Sequence, residues 1–158
     1  MKREIFFSGF LMLAAVLTLA FVPMLKENKA SVRINDDKNA GIIFVEANWA
    51  KALQEAKKQN KLIFLDAYTT WCGPCRMLKQ NTFPDKAAGE FFNKNFINIA
   101  LDMEKGDGVA VAEKYQVNAY PTLIIADANG NVVTYSKGYI DAKQLIEFGK
   151  FGISKKPK

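Results

Sequence analysis

The chain has 158 residues, 49% of them hydrophobic and 24% charged; 22 Lys and Arg against 16 Asp and Glu give a formal charge of +6, and there is no histidine. That length holds one globular domain with a sizeable core. Apart from Lys155-Lys156-Pro157-Lys158 the lysines are scattered and form no stripe with interleaved aromatics, which speaks for a solvated basic surface and against nucleic-acid binding.

Lys2-Arg3 precedes an apolar stretch from Ile5 to Val22, interrupted by Ser8, Gly9 and Thr18. A positive start followed by an apolar run is the pattern of an export signal. The run is long for a cleaved signal and barely long enough to span a bilayer. Residues 1–23 therefore read as a signal peptide, cut after Ala20, or as an N-terminal membrane anchor. In both cases Lys2 and Arg3 hold the N-terminus inside, and the rest of the chain is extracytoplasmic, secreted or anchored by residues 5–22. No cysteine lies near this segment to carry a lipid. Residues 24–40 are polar and aperiodic and read as a linker, residues 41–153 as the folded domain and residues 154–158 as a basic tail.

Within the domain, Ile42-Ile43-Phe44-Val45 predicts a short strand. Asn48 to Gln59 predicts an amphipathic helix capped by Asn48, with Trp49, Ala52, Leu53 and Ala56 at helical spacing. Leu62 to Ala67 predicts a central strand, apolar on both faces. A short helix follows from Cys72, and Asp85 to Asn93 predicts another, with Phe91 and Phe92 buried. Phe96 to Leu101 predicts a strand and Val109 to Tyr115 a helix. Thr122 to Ala126 and Val132 to Tyr135 predict two strands joined at Asn129-Gly130, a hairpin signal. The last helix is predicted from its cap at Asp141 to Phe148.

The only two cysteines lie in Trp71-Cys72-Gly73-Pro74-Cys75, at the junction of a strand and a helix. That junction puts the first sulfur at a helix N-terminus, where backbone N–H groups favour negative charge. The second sulfur lies on the same face of the first turn, within reach of a disulfide. Pro74 fits a first turn, which needs no backbone donor there. The pattern is that of a redox dithiol. A permanent staple closing so short a loop would remove little chain entropy, and a structural zinc site wants four Cys or His ligands.

Asp66 sits in the most apolar strand, where an unpaired carboxylate costs several kcal/mol or takes up a proton. It reads either as a hydrogen-bonded, inert residue or as a functional acid. Pro121 opens an apolar strand, where proline is poorly tolerated outside a special turn. Trp71 is either core or part of a surface beside an exposed thiol.

From Leu62 to Phe148 the chain resembles the thioredoxin family. The marks are Asp66 six residues before Cys72, the Trp-Cys-Gly-Pro-Cys segment, Lys114-Tyr115-Gln116-Val117-Asn118-Ala119-Tyr120-Pro121-Thr122-Leu123, and Gly138 after the last strand. Asn81-Thr82-Phe83-Pro84-Asp85 is similar to the extracytoplasmic branch, which includes the C-terminal thioredoxin-like domain of bacterial thiol:disulfide interchange proteins. The resemblance implies an α/β thioredoxin fold, a single domain with a central mixed β-sheet flanked by helices. It implies a buried Asp66 that accepts the proton of Cys75, a cis peptide bond between Tyr120 and Pro121, and a substrate chain that pairs with the backbone of Tyr120. Trp71, Gly73 and Pro74 complete the implied substrate surface. Thioredoxins usually carry an aliphatic residue where this chain has Tyr120. The lysine that pairs with the acid in thioredoxins falls near Asn98, so Asp66 is expected to lack its charge partner.

The expected function is an extracytoplasmic (periplasmic) thiol-disulfide oxidoreductase, with Cys72 as nucleophile and Cys75 as resolving thiol. It needs no metal and no cofactor beyond the Cys72–Cys75 disulfide. The expected partners are disulfide-containing protein substrates and a membrane electron donor, with the protein itself a monomer. Gly73-Pro74 is the dipeptide of reducing thioredoxins, whereas strongly oxidising relatives usually carry histidine in that gap. A disulfide oxidase or isomerase, and a non-catalytic thioredoxin-like binding module, are the alternatives.

Overall fold

A computed structural model of the protein describes residues 41–45 and 48–156. The apolar run Leu62–Tyr68 is strand β1, and its residues 62–67 are all buried. β1 pairs in parallel with β2 (Phe96–Asp102) and antiparallel with β3 (Thr122–Ala126), which pairs antiparallel with β4 (Val132–Lys137). The sheet is mixed, as expected, and its strands lie in the order β2-β1-β3-β4. Alternation along β1 sends Ile63, Leu65 and Ala67 to one face and Leu62, Phe64 and Asp66 to the other.

The first face packs under helices α1 (Trp49–Gln59) and α4 (Asp107–Tyr115), through Trp49, Ala52, Ala56 and Val111. The second carries the dithiol. There, helix α2 (Gly73–Met77) runs into a π-helical turn (Leu78–Thr82), followed by α3 (Lys86–Asn95) and α5 (Ala142–Ser154). Phe64 stacks 4.6 Å from Phe92, which lies 5.0 Å from Phe96. Phe83, just past the π turn, meets Phe44 edge-on at 5.0 Å. Each buried ring adds about 1.5–3 kcal/mol over its exposed state, so the wall beside the dithiol is held mainly by aromatic packing.

Asn48 caps α1 as predicted, its side chain accepting from Lys51 N–H at 2.9 Å. The hairpin turn spans residues 127–131, with Asp127 Oδ1 accepting from the N–H groups of Asn129 and Asn131. Phe92 is fully buried, but Phe91 is only half-buried, against the expectation for both. Helix α5 continues six residues past Phe148. Gly149 and Gly152 each cost a helix roughly 1 kcal/mol relative to alanine, yet a Cβ at Gly149 would lie 2.6 Å from the Phe91 ring, and one at Gly152 2.4 Å from Ile125 Cδ1. Their bareness lets the helix lie close against α3 at Gly149 and against β3 at Gly152. The expected tail thus begins inside a helix, and Lys156 Nζ donates to Asn60 O at 2.6 Å, closing the far end of α1. The segments read as a signal or anchor (1–23) and a linker (24–40) lie outside the described residues. Among the described residues no helix is long and apolar enough to cross a membrane.

Residues 42–45 do not form the expected strand. Their backbone makes isolated bonds, Ile42 N–H to Phe83 O at 2.7 Å and Val45 N–H to Asn98 O at 2.9 Å. Two asparagines supply the rest. Asn93 Oδ1 accepts from Ile43 N–H (2.9 Å) and Asn93 Nδ2 donates to Gly41 O (3.0 Å), while Asn98 Nδ2 donates to Ile43 O and to Asn93 Oδ1. A clasp of side-chain amides replaces a ladder. Asn93→Ala should lower stability by roughly 1–3 kcal/mol, since it strips three polar partners at once. Urea denaturation measures this, and an unchanged midpoint would mean that the backbone bonds alone hold the segment.

Candidate active site

β1 ends at Tyr68, and the chain turns through Thr69–Trp71 into α2, with Cys72 N–H donating to Thr69 O at 3.3 Å. Cys72 is the N-cap of α2, in extended backbone conformation, and its Sγ accepts from Cys75 N–H at 3.1 Å. A donor aimed at this sulfur favours the thiolate over the thiol. Pro74 sits in the first turn, where no donor is lost. Cys72 and Cys75 are joined by a disulfide, with their Cα atoms 5.3 Å apart. Cys72 is less open than expected, at 3% exposed against 1% for Cys75. Its sulfur is turned inward by the bond to Cys75 and by the Cys75 N–H.

The rim of the dithiol is aromatic. Trp71 is 62% exposed, which removes it from the core. Its indole Nε1 donates to both carboxylate oxygens of Glu104, at 3.0 and 3.1 Å, and its ring meets Tyr120 edge-on at 5.8 Å. That contact brings the Tyr120–Pro121 turn to the dithiol loop, and the bond between these two residues is cis. Thr122 Oγ1 donates to Ala119 O at 2.7 Å and Gly138 N–H to Pro121 O at 2.8 Å, fixing the turn from both sides. A Cβ on Gly73 would meet nothing nearer than Arg76 Nη2 at 3.9 Å, so the loop between the cysteines presents bare backbone. Glu104 was not found from the sequence, because it lies 33 residues from Trp71 in a polar loop without a motif.

Asp66 has no exposed surface, and neither carboxylate oxygen has a hydrogen-bond partner. Among the described residues no protein group hydrogen-bonds the carboxyl, which speaks against a side chain held in place by protein donors. Burial pushes its carboxyl up to about 7, and the Lys79 ammonium pulls the other way. Asp66 makes no ion pair among the described residues, in keeping with the expectation that it lacks its usual charge partner. Asn98 is committed to the clasp, and the positive charge comes from the π turn instead. Asp66 and Lys79 both line a pocket of about 310 Å³, together with Gly41, Ile42, Phe44 and Phe83. At about 30 Å³ each, several waters fit there. The carboxyl thus keeps its proton well above the ordinary carboxylate range, in the wall of that pocket.

The description "Thioredoxin-like domain" fits residues 49–153 of the chain. A thioredoxin of Echinococcus granulosus is 43% identical over 98 residues, 61% of this chain and 85% of its own length. The thiol:disulfide interchange protein DsbD of Yersinia pestis is 27% identical over 95 residues, 58% of this chain but only 16% of that much longer relative. Among solved structures, a proposed disulphide-isomerase from Bacteroides thetaiotaomicron is 42% identical with a TM-score of 0.65, covering 75% of this chain and 98% of the other. The oxidised C-terminal domain of DsbD from Neisseria meningitidis, 19% identical with a TM-score of 0.55 and covering 64% and 89%, shares the fold.

Asp66 also predicts a pH dependence of stability. Its folded value near 7 lies above its unfolded value of 3.8, so the unfolded state gives up the proton first. The stability that neutral Asp66 confers is complete below about pH 4 and is lost as pH rises toward 7. Asp66→Asn should match wild type at pH 4 and exceed it by a few kcal/mol at pH 8, as read by denaturation of the oxidised proteins. A wild-type profile that parallels the mutant's across this range would show that the carboxyl is ionised and paired.

Proposed function

The chain belongs to the thioredoxin-like family and is a thiol-disulfide oxidoreductase, and from that premise we propose that it reduces protein disulfides outside the cytoplasm. The observation that carries the direction is the donor set at Cys72. A strongly oxidising dithiol is one whose reduced form is stabilised. Here the Cys72 sulfur receives the single N–H of Cys75, while Gly73 and Pro74 offer no side-chain donor. The reduced pair is left comparatively unstabilised and gives up its electrons readily. The apolar stretch from Ile5 to Val22 after Lys2-Arg3 supports an extracytoplasmic address, as does the likeness to DsbD.

In the proposed reaction, the Cys72 thiolate attacks one sulfur of a substrate disulfide. A Cys72–substrate bond forms as the substrate S–S bond breaks, and the departing thiolate takes a proton. Cys75 then gives up its proton, with Asp66 as the acceptor. The resulting thiolate attacks Cys72 Sγ, forming the Cys72–Cys75 disulfide and expelling the second substrate thiolate. Two electrons have moved to the substrate, and the enzyme is left oxidised. Trp71, Tyr120, Pro121, Gly73 and Pro74 form the surface on which the substrate chain lies. The protein acts as a monomer on disulfide-containing proteins, and a membrane electron donor restores the dithiol. No metal or diffusible cofactor takes part.

A second reading, disulfide isomerisation, is favoured by the description of the Bacteroides relative. The two differ in potential and product. A reductase should equilibrate with glutathione and dithiothreitol buffers near about −270 mV, whereas an isomerase lies near about −180 mV and repairs scrambled ribonuclease faster than it reduces insulin. Cys75→Ser should trap mixed disulfides and abolish insulin reduction, while Cys72→Ser should trap few or none. If the serine at 72 traps and the serine at 75 does not, the two roles are reversed.

A further inference from the structure

Among the described residues one cation, Lys79, lines the pocket of Asp66, and an aromatic ring holds it. Lys79 Nζ lies 3.5 Å from the centroid of the Tyr68 ring, well inside the range of a cation–π contact. Tyr68 is two residues beyond Asp66 on β1, so both side chains leave the strand on the same face. Parking the ammonium on that ring places its charge over the acid's own face. Lys79 is also four residues after Cys75, one turn along the same helical element. There the backbone widens into the π turn Leu78–Thr82, an irregularity frequent at functional sites.

Among the described residues, the other groups around the acid leave the lysine without a rival. Opposite Asp66 stand Ala100 on β2 and Leu123 on β3. The remaining pocket walls named above, Gly41, Ile42, Phe44, Phe83 and Pro84, carry no charge. Asp102 faces Tyr68 rather than Asp66 and is paired with Lys105 at 3.4 Å. Tyr68 is uncharged near neutral pH, since burial and the nearby carboxylates raise its phenol. Cys75 of α2 is the thiol that titrates with the acid once the disulfide is reduced.

We propose that Lys79, held on the Tyr68 ring, is the positioning residue that sets the proton affinity of Asp66 and so the pH at which Cys75 can resolve a mixed disulfide. The proposal rests on the reading of Asp66 as proton acceptor for its second half alone. With the ammonium in place, part of the Asp66 population is ionised at neutral pH and ready to take the proton. Without it, burial acts unopposed, the carboxyl stays protonated and resolution waits for higher pH.

Lys79→Met and Lys79→Arg test this, with Asp66 titrated directly by carboxyl carbon NMR in the oxidised protein and resolution followed by single-turnover reduction across pH. In Lys79→Met the Asp66 midpoint should rise by roughly half to one pH unit, and resolution at pH 7 should slow by about two- to five-fold. Lys79→Arg should restore both. Tyr68→Leu, which keeps the lysine but removes its perch, should move the midpoint the same way by less, while Tyr68→Phe should not. An Asp66 midpoint unchanged in Lys79→Met overturns the proposal. A midpoint that rises while resolution keeps its wild-type pH profile supports the hold of Lys79 on Asp66 and overturns the role of Asp66 as acceptor.

Discussion

A strand buried on both faces is the constraint from which the rest of this molecule follows. β1 has no solvent side, so every residue from Leu62 to Ala67 must be satisfied inside the protein. Five of the six are apolar and meet that demand by packing. Asp66 does not. Its oxygens find no donor, and a buried carboxyl without one keeps its proton well above the ordinary carboxylate range. The same strand ends at the dithiol, so the rigid element that fixes the position of Cys72 also carries the acid. Position and proton affinity come from one piece of backbone.

Much of this is legible in the chain because it rests on local chemistry. An apolar run of strand length, an Asn or Asp before a helical pattern, and Cys-Gly-Pro-Cys at a strand-to-helix junction each carry their reason within a few residues. The start of β1, the caps at Asn48 and Asp141, and the order of the elements from α1 onward follow from such signals. The cis bond before Pro121 is legible from the family resemblance, not from composition. What is hidden depends on partners far apart in sequence. The run 42–45 has strand composition, yet no neighbour offers it a full ladder, and two amides close the gap. Helix α5 outruns its predicted end because its glycines are a packing requirement set by Phe91, Phe92 and Ile125.

The aromatic rim shows a further limit of local reading. Trp71 has a plain alternative as a core residue. Only its exposure, its edge-on contact with the half-buried Tyr120 and the carboxylate of Glu104 on the indole show a surface instead. A large ring pinned by two hydrogen bonds loses little freedom when a substrate lies on it, so its contact area is gained at low entropic cost. A tyrosine before the proline, in place of an aliphatic, extends this ridge and gives the site an amphipathic edge.

Asn98 and Lys79 are best understood as one exchange. At position 98 the side chain is buried and donates to Ile43 O and Asn93 Oδ1, tying the segment that roofs the pocket of Asp66 to β2. A lysine there offers a charged group in place of an amide that fits between two acceptors, and an ammonium so enclosed must be desolvated. The amide secures the roof but brings no charge to the acid. The cation enters from the opposite wall, on a helical turn that stays exposed, with its ammonium resting on the Tyr68 ring. There it keeps its hydration while still acting on the carboxyl. Such an arrangement weakens the coupling compared with a direct buried ion pair, and leaves Asp66 near neutrality instead of fully ionised. In the proposed role, where the acid takes up and returns a proton in each cycle, that middle value serves both steps, because one held far to either side would do only half of the task.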